Sequence, residues 1–260
     1  MDRYELCRTL AREGGVIAHR GFGTAPATMK GRHDVVTEMD REVERFIRAG
    51  IAKHFPDDSI VGEEEGGRGS GERVWLIDPI DGTANYARGI PHYCVSIGVV
   101  ERGEPVLGAI YNPSCDWLYA AALGRGAWLN DQPIRVSAID EIDAATVECG
   151  WSTRRPADAY LSMVTRLFDA GAQVRRAGSG ALGLADVAAG RSEAYAELHI
   201  NAWDVAAGIP IVREAGGRVN AFFAGNGIAT GNPVVATNAA LSDKLAGIIG
   251  VPLERPRNAD

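Results

Sequence analysis

The sequence predicts an α+β half packed beside an α/β half. Three observations carry that reading. Between Tyr93 and Val136, short apolar or alternating runs are split by turn residues such as Glu101-Arg102-Gly103-Glu104 and Asn112-Pro113-Ser114, the pattern of a meander. Near residue 138 the rhythm changes, and strand-like and helix-like segments begin to alternate. Ahead of both, two helix-like segments lead to the apolar run Val74-Trp75-Leu76-Ile77, which ends on Asp78. The expected division is residues 1–138 and residues 139–260.

Residues 2–20 carry apolar side chains at Tyr4, Cys7, Leu10, Ala11 and Ile17, the spacing of an amphipathic helix. Gly21 to His33 is polar, contains Lys30 and reads as a mobile loop. A second helix opens at Val35–Asp40, with Thr37 as N-cap and Asp40 three residues on. Val43, Phe46, Ile47 and Ile51 form its apolar face, and Phe55-Pro56 ends it. Ser59-Ile60-Val61 is a short strand that delivers Gly62 and the acids Glu63, Glu64 and Glu65. In the second half, strands are expected over 146–149, 174–176, 193–198, 218–222 and 234–237, with helices over 157–170, 181–189, 204–215 and 241–249. Pro210 falls inside the third of these helices, and an interior proline costs ~3 kcal/mol. A kink is expected there, freeing the carbonyl of Ala206. The tail Glu254–Asp260 is polar and reads as frayed.

Composition narrows the function. With 46% hydrophobic and 23% charged residues the chain has the make-up of a soluble globular protein. A net charge of −7 argues against a broad electrostatic grip on nucleic acid, so no direct nucleic-acid binding is expected. The four cysteines form no CxxC pair, which suits reduced thiols and a cytoplasmic location. The N-terminus lacks the apolar core of a signal peptide, and no apolar run is long enough to span a bilayer.

The stretch from Val74 to Asn85 is the chemical centre of the chain. Asp78 and Asp81 flank Pro79-Ile80, so both carboxylates can converge on one hard cation, with the Ile80 carbonyl between them. Asp81 could instead only cap the helix that starts at Gly82. Gly82-Thr83 reads as a helix start that can face an anion. Glu63 would reach the same cation if its strand runs parallel to the one ending at Asp78, whereas Glu65 reads as surface. Thr83 could hold a water, oriented by Asp40, although Asp40 could equally serve only the capping box of Thr37. Asp204, in the first turn of a small-residue helix, could be a dipole partner or the last ligand of a second cation. Gly178-Ser179-Gly180-Ala181 offers N–H groups to an anion or a polyol. Glu197 could accept hydrogen bonds from substrate hydroxyls, and His92 and His199 read as packing or surface histidines.

These residues resemble the inositol monophosphatase family. Trp75-Leu76-Ile77-Asp78-Pro79-Ile80-Asp81-Gly82-Thr83-Ala84-Asn85 looks like its first signature, and Trp203-Asp204-Val205-Ala206-Ala207-Gly208 through Glu214-Ala215-Gly216-Gly217 like its second. Gly62-Glu63-Glu64 and Val36-Thr37-Glu38-Met39-Asp40 fit in the same order. The resemblance implies a layered αβαβα sandwich and a lithium-sensitive, Mg2+-dependent phosphatase that forms a homodimer. It implies a first metal site of Glu63, Asp78 and the Ile80 carbonyl, a second of Asp78, Asp81 and Asp204, and a weaker third reached from Glu63 through water. It implies that Thr83 and Asp40 orient the attacking water and that Gly82 and Thr83 offer N–H groups to phosphate. Gly178, Ser179, Gly180 and Glu197 would line the alcohol portion of the substrate, and Asp81 would also be a substrate-binding residue. Inositol 1-phosphate is the first expected substrate, with histidinol phosphate, sugar bisphosphates and 3′-phosphoadenosine phosphate as alternatives. A role in binding the transcription machinery is the alternative of another class. The loop from Lys30 to Asp34 is shorter than in the animal enzymes, and Trp151-Ser152 stands where those offer serine to substrate.

Overall fold

A computed structural model describes residues 1–31 and 34–254 of the chain. Part of the loop from Lys30 to Asp34 and all of the tail beyond Glu254 lie outside the described residues.

Helices α1 (Arg3–His19) and α2 (Glu38–His54) flank a hairpin of β1 (Ala27–Gly31) and β2 (Asp34–Thr37). The hairpin corrects the expected loop: Ala27, Thr28 and Met29 pair with β2 but are all exposed, so no buried face marks the strand. Thr37 caps α2 as expected, and Val43, Ile47 and Ile51 are fully buried on its inner face. Burying each such side chain is worth about 1.5–3 kcal/mol, which outweighs the weak helix propensity of β-branched residues.

Strands β3 (Ser59–Gly62), β4 (Gly66–Gly67) and β5 (Arg73–Asp81) are followed by the one-turn helix α3 (Thr83–Tyr86). The meander then comprises β6 (Cys94–Glu101), β7 (Glu104–Asn112), β8 (Trp117–Ala122), β9 (Ala127–Leu129) and β10 (Gln132–Pro133). Together these strands form an eight-stranded sheet, order β10-β9-β8-β7-β6-β5-β3-β4. Among the described residues of this sheet only β3 and β5 pair in parallel, with Gly62 opposite Ile77. Glu63 therefore leaves its strand beside Asp78. Strand β5 continues past the expected end at Asp78 to Asp81, with a register shift against β6 between the two acids.

The second sheet holds β11 (Thr146–Cys149), β12 (Gln173–Arg175), β13 (Ala194–Ile200), β14 (Arg218–Val219) and β15 (Asn232–Thr237), in the order β12-β11-β13-β15-β14. Its helices are α4 (Ala157–Asp169), α5 (Gly180–Ala188), α6 (Ala202–Val205), α7 (Gly208–Glu214), α8 (Gly227–Thr230) and α9 (Ser242–Ile249). Helices α1 and α2 cover the outer face of the first sheet, α5 to α7 lie between the sheets, and α4 and α9 cover the far face of the second. The result is the αβαβα sandwich. No described helix is long and apolar enough to cross a membrane.

The expected single helix over 204–215 is broken instead at Ala206-Ala207, one turn before Pro210. Pro210 sits in the first turn of α7, where its missing N–H has no intrahelical acceptor to serve. The break lies directly on the first sheet. A side chain at Gly98 or Gly108 would overlap the backbone of Ala206 and Ala207.

Candidate active site

The ends of β3 and β5, the starts of α3, α5 and α6, and the end of β13 converge on one cleft of about 1100 Å3. Carboxylate oxygens of Asp78, Asp81 and Asp204 all lie within 4.8 Å of one another. Asp78 is 1% exposed and Asp81 8%, while Asp204 is half-buried on the cleft wall. Burial pushes Asp78 well above the usual carboxylate range, and the charges of Glu63, Asp81 and Asp204 push it further. Asp204 is raised by burial and then by Asp81 and Glu63. A divalent cation seated among these carboxylates would relieve that repulsion, and the donors are all hard oxygens. The residues therefore fit a divalent metal of the Mg2+ or Ca2+ type.

Glu63 lines the same cleft outside that close trio, and its N–H donates to the Ile77 carbonyl at 3.1 Å. The parallel pairing on which its arrival depended is present. Glu65 is exposed and paired with Arg45, as expected of a surface acid.

Gly82 adopts φ +90°, a conformation that suits glycine, and turns the chain from β5 into α3. The first N–H groups of α3 have no intrahelical acceptors. The Thr83 hydroxyl lies 2.8 Å from the Ile80 carbonyl and 3.3 Å from Asp40 Oδ1. Its single proton can serve one acceptor at a time. Asp40 Oδ2 accepts from the Thr37 N–H at 2.8 Å and from the Thr37 hydroxyl at 2.6 Å. The capping reading of Asp40 is met on Oδ2, and Oδ1 is left facing the Thr83 hydroxyl. Burial pushes Asp40 up to about 6, against the pull of the Thr37 hydrogen bonds.

Gly178-Ser179-Gly180-Ala181 does meet an anion, and the anion is Asp81. Ser179 Oγ donates to Asp81 Oδ2 at 2.6 Å, the Ala181 N–H donates to the same oxygen at 2.6 Å, and the Gly180 N–H donates to Oδ1 at 3.3 Å. Asp81 is raised by burial, and these donors hold the rise in check. Asn85 ties the same loop to α3, donating to the carbonyls of Ala177 and His92 at 2.9 and 2.8 Å.

Glu197, which in isolation would read as a surface acid, is 8% exposed and lines the cleft. The Tyr195 hydroxyl donates to its Oε2 at 2.7 Å, and burial pushes Glu197 up to about 7. His199 also lines the cleft, with a ring nitrogen 3.1 Å from the Thr230 carbonyl.

The family described as the inositol monophosphatase family matches residues 4–250. The chain belongs to the inositol monophosphatase family. This family member is a phosphatase. It is 36% identical over 256 residues to the "Fructose-1,6-bisphosphatase/inositol-1-monophosphatase" of Thermotoga maritima, covering 98% of each chain. It is 44% identical over 214 residues to the "Nus factor SuhB" of Xylella fastidiosa, covering 80% of this chain and 78% of that protein. Among solved structures, the extragenic suppressor protein suhB of Bartonella henselae superposes with a TM-score of 0.87 at 32% identity, over 94% of this chain and 97% of that one.

Two buried acids of this phosphatase give little sign of themselves in its sequence, Glu44 and Glu148. Glu148 is buried beside the cleft, with Oε2 3.4 Å from Arg175. Its place on β11 beside Cys149, a residue it alternates with across the strand, is the only signal. Burial pushes Glu148 from its ordinary 4.5 up to about 7, despite Arg175. A carboxyl whose pKa rises on folding favours the fold while protonated, so its cost appears as pH climbs from the lower value through the upper. Glu148→Gln is expected to leave unfolding in metal-free buffer unchanged near about pH 4 and to stabilise the protein near about pH 8 by up to about 3 kcal/mol. Denaturant melts at the two pH values check it.

Proposed function

We propose that this phosphatase hydrolyses a small phosphate monoester in a Mg2+-dependent reaction, with inositol 1-phosphate as the first substrate. The observation that carries the reading is the trio Asp78, Asp81 and Asp204 beside the Gly82-Thr83 helix start. Glu63, Asp78 and the Ile80 carbonyl would hold one cation, and Asp78, Asp81 and Asp204 a second; Glu63 would reach a weaker third through water. When bound, Mg2+ supplies charge cancellation on the phosphate and a lowered pKa for the attacking water.

The protein's own groups aim the reaction. Asp40 accepts the Thr83 proton, which leaves the lone pairs of Thr83 Oγ1 to accept from the attacking water and fix its direction. The water oxygen bonds to phosphorus as the bond from phosphorus to the alcohol oxygen breaks, and the alcohol leaves with a proton. N–H groups of Gly82 and Thr83 hold phosphate oxygens. Glu197, near half-protonation at neutral pH, can accept from or donate to a polyol hydroxyl, with Asp81, Gly178, Ser179 and Gly180 around it. No side chain becomes phosphorylated.

A second substrate class has support of its own. Arg154 and Arg176 line the cleft and their charges act on Glu197, a setting that suits a sugar bisphosphate. The test is phosphate release with and without Mg2+ from inositol 1-phosphate, fructose 1,6-bisphosphate, histidinol phosphate and 3′-phosphoadenosine phosphate, with lithium as inhibitor. Release from inositol 1-phosphate that needs Mg2+ and falls with lithium is expected; no release from any of the four would sink the reading. The relatives named Nus factor support a companion proposal, that the chain also contacts the transcription machinery. A pull-down with RNA polymerase factors that captures neither wild type nor Asp78→Asn would remove it. The homodimer and the cytoplasmic location belong to the same proposed reading.

A further inference from the structure

Glu44 lies in the middle of α2 with its side chain fully buried. A buried carboxylate needs partners, and this one has three. Arg48 Nε donates to Oε1 at 2.7 Å, the Glu64 N–H donates to Oε2 at 2.7 Å, and the Glu65 N–H donates to Oε1 at 3.0 Å. Arg48 also donates to the Gly66 carbonyl.

These bonds enclose Glu63. On its upstream side the Glu63 N–H is fixed by the ladder to Ile77. On its downstream side the next two N–H groups end on Glu44. A Cβ at Gly62 would overlap the Glu44 carboxylate, so the acid occupies the space that a side chain there would take. Asp40 and Glu44 are one helical turn apart, both buried, on one face of α2. That face therefore touches Thr83 through Asp40 and the Glu63 loop through Glu44.

We propose that Glu44 is a positioning residue that sets the height and direction of Glu63 at the cation site. This rests on the reading of Glu63 as a cation ligand. Glutamine at 44 keeps the shape but has one acceptor oxygen where Glu44 uses two, so at least one donor would face an NH2 group.

The test is direct Mn2+ binding, followed by electron paramagnetic resonance, on full-length wild type and Glu44→Gln, with kcat and KM measured alongside. For Glu44→Gln the expected result is Mn2+ affinity roughly ten- to a hundredfold lower, the range for groups that orient metal ligands. Activity should fall at limiting metal and recover as metal is added, with KM for the phosphate monoester unchanged. Unchanged Mn2+ affinity with a lowered Tm would overturn the proposal and leave the acid-cluster reading standing. Wild type that binds no Mn2+ would overturn both. Amide exchange on the wild type covers the case in which the variant does not fold. Protected N–H groups at Glu64 and Glu65 are expected, and exchange at open-chain rates would overturn the proposal.

Discussion

Asp78→Asn is expected to lower kcat/KM by at least ~10³-fold, about 4 kcal/mol of barrier, while raising the Tm of the metal-free protein. The two signs come from one fact. Asp78 is buried beside two other acids, and the Ile80 N–H, donating to Oδ1 at 3.0 Å, offsets little of that repulsion. In the absence of a cation the folded protein bears the cost of like charges in a confined space. Asparagine removes one of them without changing the volume. It also removes the carboxylate that the proposed reading assigns to both cation sites, and an amide offers one neutral oxygen in its place. A variant inactive because it is misfolded would show a lower Tm. Scanning calorimetry with and without Mg2+ separates the cases. A ligand at a hundred times its Kd stabilises by about 2.7 kcal/mol, so wild type should gain Tm with Mg2+ and the variant should gain little.

The elements that were legible in the sequence are those whose burial is written in a repeat. Strands β5 to β8 read clearly because turn residues mark their ends, and α2 because Val43, Ile47 and Ile51 recur at helical spacing. The hairpin of β1 and β2 was not legible, since Ala27, Thr28 and Met29 are all exposed, the strand is short, and its partner follows from pairing alone. The break between α6 and α7 was legible in part, because Pro210 pointed to a distortion one turn upstream, at Ala206. What was not legible is the close seat of Ala206 and Ala207 on Gly98 and Gly108, which are distant in the chain.

The site divides along the same line. Asp78, Asp81, Glu63 and Asp204 stand where apolar strands end or a helix begins, and that placement marks them in the sequence itself. Glu44 stands four residues before Arg48, and that spacing ordinarily describes an exposed ion pair on a helix surface. The signal that could have found it is its place next to Val43 and Ile47, on the apolar side of α2. Ser179 shows the reverse case: its position was legible and its partner was not, because the Asp81 it grips is 98 residues earlier.

Asp40→Asn is expected to lower kcat roughly a hundredfold, at the low end of what a positioned proton acceptor contributes, with the fold retained. Asp40 uses its two oxygens differently. Oδ2 accepts both protons of Thr37, from the N–H and the hydroxyl, and Oδ1 faces the Thr83 hydroxyl. An asparagine must keep its oxygen on the Thr37 N–H, because an NH2 there would meet a donor. Its NH2 then points at Thr83, which becomes an acceptor and gives its own proton to the Ile80 carbonyl, already 2.8 Å away. The capping box survives, so Tm changes little. One of the two lone pairs of Thr83 Oγ1 is taken up and its proton is turned onto Ile80, so the remaining lone pair no longer has the direction that the proposed mechanism needs for the attacking water. The same geometry fixes the pH dependence. Asp40 can accept the Thr83 proton only when ionised, and burial has pushed it up to about 6. Wild-type kcat/KM at saturating Mg2+ should therefore fall as pH drops through about 6, and the residual activity of Asp40→Asn should lack that acid limb. If the limb persists unchanged in the variant, Asp40 is not the group that titrates, and Thr83 is oriented by Ile80 alone.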